Sequence, residues 1–228
     1  MGDFHQNGII TTLHNMRERT LSEMEKELNL FSSQRPMGLI LPSLYSELEG
    51  DALTRIVSEL TKVSYLDQIV IGLDRANEEE YKSALNFFST LPQNVRVLWN
   101  DGSRLRAIDK KLSELDLAPK ELGKGRNVWY CMGYTLASNK ASSVALHDCD
   151  ITTYSRELLA RLIYPVANPR FNYEFCKGFY ARFADGKFNG RVSRLLISPL
   201  IQALKTNLGP VSYTHLRAHE TLRYLVCR

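Results

Sequence analysis

Ser143-Val144-Ala145-Leu146-His147-Asp148-Cys149-Asp150 is a short apolar run that ends on a pair of carboxylates, and the rest of the chain organises around it. Apolar runs of this length, bounded by polar segments, are the mark of strands buried in a parallel sheet. Three more occur upstream: Gly38-Leu39-Ile40-Leu41-Pro42, closed by its proline, Gln68-Ile69-Val70-Ile71-Gly72, and Val95-Arg96-Val97-Leu98-Trp99. Helical patterns fall between them, at Asp51 to Lys62, Asn77 to Phe88 and Arg126 to Ser138, with a polar, partly helical stretch from Asn100 to Leu122. A polar loop is expected from Ser43 to Gly50. Strands alternating with crossover-length connections predict an α/β fold, a mostly parallel sheet flanked by helices on both faces.

Outside this core the pattern changes. Residues 1–34 predict an N-terminal helical arm, with Thr20 and Glu23 forming a capping box, packed on the main domain or on a partner subunit. Beyond Asp150 the segment Tyr173 to Phe183 is aromatic and partly alternating, and Ala184-Asp185-Gly186-Lys187 is a turn signal that predicts a hairpin or a strand-loop unit. A helix is expected from about Arg194 to Lys205.

Composition narrows the class. The 228 residues are 44% hydrophobic and 24% charged, with a formal net charge of +4 that is dispersed along the chain. Neither a basic stripe nor a nucleic-acid module is present, so no nucleic-acid partner is expected. No apolar run approaches the roughly 20 residues of a spanning helix, and Met1 to His14 lacks the pattern of a secretory signal, so the expectation is a cytoplasmic protein without membrane contact. Cys131, Cys149, Cys176 and Cys227 form no CxxC pair, which predicts reduced thiols rather than a zinc or redox site.

Ligands of open α/β sheets gather beyond the carboxyl ends of the strands. Asp148 and Asp150 stand at such an end, and in an extended segment residues two apart face the same way. Two carboxylates suit a hard divalent cation, Mg²⁺ or Mn²⁺, whose shell is completed by substrate phosphates and water. Such an ion would stabilise charge on a departing diphosphate; the plainer alternative is that Asp148 caps a turn and Asp150 is solvated. Leu41 to Glu47 leaves the first strand and offers groups for a base and ribose, and Asp74 leaves the second. Gly123-Lys124-Gly125 and Gly190-Arg191-Val192-Ser193 each combine glycine, a cation and a following helix, an arrangement suited to anions. Each has an ordinary loop as its alternative. His147 is expected beneath the site rather than as a ligand.

Taken in order, strand-Pro-Ser-Leu, strand-Gly-Leu-Asp, Gly-Lys-Gly-helix, Asp-x-Asp and Gly-Arg-Val-Ser, the motifs resemble GT-A glycosyltransferases of the glucosyl-3-phosphoglycerate synthase type, over about Arg35 to Leu204. The resemblance implies retaining transfer of glucose from UDP- or GDP-glucose to the 2-hydroxyl of 3-phosphoglycerate, a step of glucosylglycerate biosynthesis. It implies metal at Asp150, with Asp148 near the ribose or a metal water. Pro42, Ser43, Leu44 and Glu47 match nucleotide-embracing positions, Lys124 a diphosphate-side lysine, and Gly190, Arg191, Val192 and Ser193 the loop for the acceptor phosphate. Threonine is more usual in the family where Ser193 stands. No protein nucleophile is assigned, and a homodimer is among the expectations.

The family carries a further metal-ligand histidine downstream, and the chain is expected to stop short of it. Residues 35–210 therefore read as a truncated nucleotide-sugar-binding domain. Residues 211–228, VSYTHLRAHETLRYLVCR, read as a non-native tail like a translated sequencing adapter, so His215 and His219 are not enlisted as ligands. Two other readings compete. A nucleotidyltransferase would be expected to carry arginine in the loop after the first strand, and Pro42 to Gly50 has none. An inactive truncated fragment is the other.

Overall fold

A computed structural model describes residues 19–178, the strand segments 182–184, 187–189 and 224–227, and the positions Leu200 and Ala203. The order is α1 (Leu21–Ser32), β1 (Met37–Leu44), a 3₁₀ turn (Tyr45–Glu49), α2 (Asp51–Leu60), β2 (Leu66–Asp74), α3 (Glu78–Phe88), β3 (Asn94–Trp99), α4 (Ser103–Glu114), α5 (Lys124–Ser138), β4 (Ser143–His147) and α6 (Arg156–Ala167). The short strands β5 (Phe175–Lys177), β6 (Arg182–Ala184), β7 (Lys187–Asn189) and β8 (Tyr224–Cys227) follow.

The main sheet runs β3-β2-β1-β4-β8-β5, and β1 to β4 are mutually parallel. Successive strand residues face opposite sides. Leu39, Leu41, Ile69, Ile71 and Ala145 accordingly enter a large core with buried residues of α1, α2, α3 and α6. Ile40, Val70 and Leu146 face the other way, onto Val128 and Cys131 of α5. Both faces are covered, as the alternation of strands and helices predicts.

Several expectations change in detail. β1 does not end at Pro42 but runs on through Ser43 to Leu44. Its pairing with β4 stops at Ile40, whereas its pairing with β2 continues through Pro42 opposite Gly72. The proline thus lies where β1 has a neighbour on one side only, the edge-like setting that tolerates a missing N–H. The expected loop after β1 contains a 3₁₀ turn. α5 begins at Lys124 rather than Arg126, so the Gly-Lys-Gly segment supplies the helix's first residues.

The described part of the arm, from Arg19 onward, carries the helix α1, which docks on its own chain. Thr20 and Glu23 form the expected reciprocal cap. Met24 and Leu28 are buried, the Phe31 and Tyr164 rings lie 5.7 Å apart, and Arg35 donates to the Asn168 carbonyl at 2.9 Å. β6 and β7 pair antiparallel, with Ala184 opposite Lys187, as the turn signal predicts.

β8 comes from the segment read as a tail, yet its backbone pairs antiparallel with both β4 and β5. Backbone pairing uses the same N–H and C=O groups whatever the side chains, so a slot between two strands is satisfied by any extended segment that reaches it. The slot itself is a property of β4 and β5. No helix among the described residues is long and apolar enough to cross a membrane.

Candidate active site

β1, β2 and β4 deliver their carboxyl ends to one rim, and α5 points its N-terminus at it. Leu44 and Asp74 are opposite one another in the β1–β2 register, as are Pro42 and Gly72. Lys124, the first residue of α5, makes a close ion pair with Asp148 just past β4. Pro42, Leu44, Asp74, Lys124 and Asp148, which lie far apart in sequence, thereby meet at the end of the sheet.

The β1 end is organised internally. Glu47 Oε2 accepts from the Leu44 amide at 3.0 Å and from the Ser43 hydroxyl at 3.1 Å, which fixes the carboxylate over the strand terminus. Ser43 is buried. Its hydroxyl holds Glu47 rather than facing outward, a supporting part that the sequence did not reveal. Cys149 packs against the same group. Burial pushes its thiol well above the ordinary range, and the Glu47 carboxylate adds to this, so it is a neutral filler.

The two aspartates are not presented alike. β4 ends at His147, and Asp148 to Asp150 enter a turn instead of continuing as extended strand, so the alternation expected of an extended run does not apply to them. The Asp148 side chain is 3% exposed and that of Lys124 is 41% exposed. An ionised carboxylate so enclosed is costly unless paired, and the ammonium supplies the pairing. Asp150, two residues on, is exposed. Among the described residues no three His, Cys, Asp or Glu side chains converge as a ready metal cage. Two carboxylates without a third are a poor site for a bare ion. They fit a Mg²⁺ or Mn²⁺ ion that arrives with phosphate oxygens and keeps its waters.

His147 lies beneath, as expected. It is fully buried, with Nδ1 3.2 Å from the Tyr154 hydroxyl, and burial lowers its pKa to about 3. It is a neutral brace between β4 and the segment leading to α6, not a cation.

Asp74 accepts from the Arg75 amide at 3.2 Å, and Arg75, exposed, adopts a left-handed φ of 55°. This carboxylate holds a tight bend. The bend is clamped from β3, where Asp101 accepts from the Ala76 amide at 3.1 Å and Trp99 Nε1 donates to the Ala76 carbonyl at 2.7 Å. Trp99 in turn stacks on Tyr81 of α3 at 4.8 Å. Asn127 is a second unforeseen support. It is buried on α5 and donates to the Gly72 carbonyl at 2.8 Å. A Cβ on Gly72 would fall 1.6 Å from Asn127 Oδ1, so this glycine exists to admit the asparagine. The sequence marks Asn100 to Leu122 only as polar and partly helical, and the link from Asp101 to Ala76 needs the fold. Gly190, Arg191, Val192 and Ser193 lie outside the described residues.

The chain is 50% identical over 209 residues to glucosyl-3-phosphoglycerate synthase of Persephonella marina, covering 92% of this chain and 52% of that protein. It is 36% identical over 208 residues to the protein of the same name from Methanococcoides burtonii, covering 90% of this chain and 50% of that one. Sequence and sheet together resemble a GT-A glycosyltransferase of the glucosyl-3-phosphoglycerate synthase type. The chain spans about half the length of these curated relatives. No protein-family model matches it.

Among solved structures, Mycobacterium tuberculosis glucosyl-3-phosphoglycerate synthase with Mn²⁺, UDP and glucosyl-3-phosphoglycerate matches with a TM-score of 0.55 at 18% identity, covering 95% of this chain and 63% of that one. The same enzyme with Mn²⁺, UDP-glucose and phosphoglyceric acid matches with a TM-score of 0.55 at 18% identity, covering 93% and 62%. At such identity these matches establish the fold: the chain has the GT-A architecture.

Proposed function

We propose that residues 35–210 form the donor-binding part of a retaining glucosyltransferase that moves glucose from UDP- or GDP-glucose to the 2-hydroxyl of 3-phosphoglycerate, and that residues 211–228 lie outside this unit. The meeting of Lys124 and Asp148 at the end of the parallel sheet, beside the fixed Glu47, carries the reading. It joins an anion-favouring helix start to a carboxylate pair where a diphosphate would lie. The two curated relatives, of whose length this chain spans about half, are named for making glucosyl-3-phosphoglycerate, which supports the product of this transfer.

In this reading Pro42 and Leu44 wall the nucleotide, Glu47, fixed by Ser43, accepts from the ribose, and Asp74 shapes the loop beside the base. Asp150 is the principal ligand for Mg²⁺ or Mn²⁺, with Asp148 behind it. A bound cation supplies Lewis-acid stabilisation of the diphosphate leaving group. Lys124 adds a second positive charge on the diphosphate side. The donor C1–O bond breaks with its electrons kept on the nucleotide oxygen; the acceptor oxygen bonds to C1, and the hydroxyl proton is released. Gly190 to Ser193 hold the acceptor's phosphate.

The test is a product assay on the chain completed with its natural downstream sequence, given UDP- or GDP-glucose and 3-phosphoglycerate. Glucosyl-3-phosphoglycerate with retained anomeric configuration is expected. Pyrophosphate release from a nucleoside triphosphate, with no sugar transfer, would instead establish a nucleotidyltransferase.

A further inference from the structure

Lys124 occupies a position that the proposed chemistry does not explain by itself. Its ammonium is paired with Asp148, whose side chain is almost fully enclosed, so in this state its charge is already engaged by a carboxylate. Lys124 is nonetheless substantially exposed, at the first position of α5, after a glycine with a φ of 133°. Nothing lies within 4 Å of a Cβ built on Gly123 or Gly125. The base of this lysine is thus flanked by open space, and its four-carbon stem has room to swing.

We propose that Lys124 exchanges partners: it neutralises Asp148 while the site is empty and moves to the donor's diphosphate when the carboxylates take up a divalent cation. The inference rests on the reading of Asp148 and Asp150 as the metal-facing pair. Its physical basis is charge conservation in a small enclosed space. Asp148 is desolvated, so it needs a positive neighbour in every state. An ammonium and a divalent ion beside the same carboxylate repel one another, and that repulsion is strong where water is excluded. Lys124 therefore opposes metal that comes alone. When metal arrives with a diphosphate, the displaced ammonium finds new anionic oxygens, so metal and nucleotide favour each other's binding. The lysine acts as a positioning residue that discourages bare cations and rewards the metal–nucleotide complex.

This makes an unusual demand on a diphosphate-binding lysine: removing it should tighten the binding of metal alone. Mn²⁺ binding to the completed chain, without nucleotide, is to be followed by the loss of the free-ion electron paramagnetic resonance signal in wild type, Lys124→Met, Lys124→Gln and Lys124→Arg. Gln retains a hydrogen bond to Asp148, guarding against misfolding of the Met variant, and circular dichroism checks both. Met and Gln should raise Mn²⁺ affinity about tenfold or more, and Arg should stay near wild type. At saturating Mn²⁺ the same Met and Gln variants should bind UDP about tenfold more weakly. Unchanged or weaker Mn²⁺ binding in folded Met and Gln variants, with Mn²⁺-dependent UDP binding intact in wild type, would refute the exchange and leave the site reading standing. Failure of wild type to bind UDP with Mn²⁺ would overturn the site reading and the exchange with it.

Discussion

His147 shows how one buried side chain ties the site to stability. Its folded-state pKa is lowered to about 3 by burial, from an ordinary value of 6.5. The neutral ring therefore favours the native state above about pH 6.5, and the unfolded chain binds the extra proton below it. Stability should fall as pH drops from about 6.5 toward 3. Other carboxylates contribute as well, so the difference between wild type and His147→Gln is the informative quantity. In urea titrations that difference should shift in favour of the variant by on the order of 1–3 kcal/mol between pH 7 and pH 4.5. A constant difference would show that His147 is not held neutral. The DxD carboxylates were legible in the sequence because strand ends in such sheets collect ligands. Their unequal burial was not, because it depends on Lys124, which lies 24 residues away and reaches Asp148 only through the packing of α5 on β1 and β2.

At the scale of elements, the four parallel strands and the helices α2, α3 and α5 were readable because each has both a periodic apolar pattern and a stop signal. α6 went unread, although Leu158, Leu159, Leu162, Ile163 and Val166 recur at helical spacing and most are buried. Pro165 inside the run, a residue that normally breaks a helix, obscures the pattern. The support of β2 by α5 is a test of local packing. Gly72→Ala should destabilise the protein by about 1–3 kcal/mol, read from the urea midpoint, because the new methyl collides with Asn127 and with Cys131. The cost should shrink when Asn127 is also shortened to alanine, since the two changes share one contact. At the arm, Thr20→Ala should cost about 1 kcal/mol by removing the reciprocal cap of α1. Equal stability of that variant would mean that tertiary contacts alone hold the helix.

For the whole molecule, the decisive feature is the slot between β4 and β5. In the present chain Tyr224–Cys227 fills it, pairing antiparallel with both strands. Because residues 211–228 are proposed to stand outside the donor-binding unit, a chain ending at Pro210 should expose two unpaired strand edges and associate, as seen by sedimentation velocity. A chain continued with the natural downstream sequence should sediment as a defined species. A monodisperse Pro210-terminated chain would show that the slot needs no occupant. A truncated sheet with an open edge prone to association is readable from the sequence, but the slot between β4 and β5 is not, since strand order is set by long-range pairing and β8 is adjacent to β4 only in space.

In the proposed function the rim of the sheet binds a nucleotide sugar through a cation held at Asp150. Calorimetry of UDP-glucose binding to the completed chain, with Mn²⁺ and with chelator, for wild type and Asp150→Asn, tests it most directly. Binding that requires Mn²⁺ in wild type and is lost in the variant is the expected result; binding that is indifferent to both the metal and the substitution would contradict it.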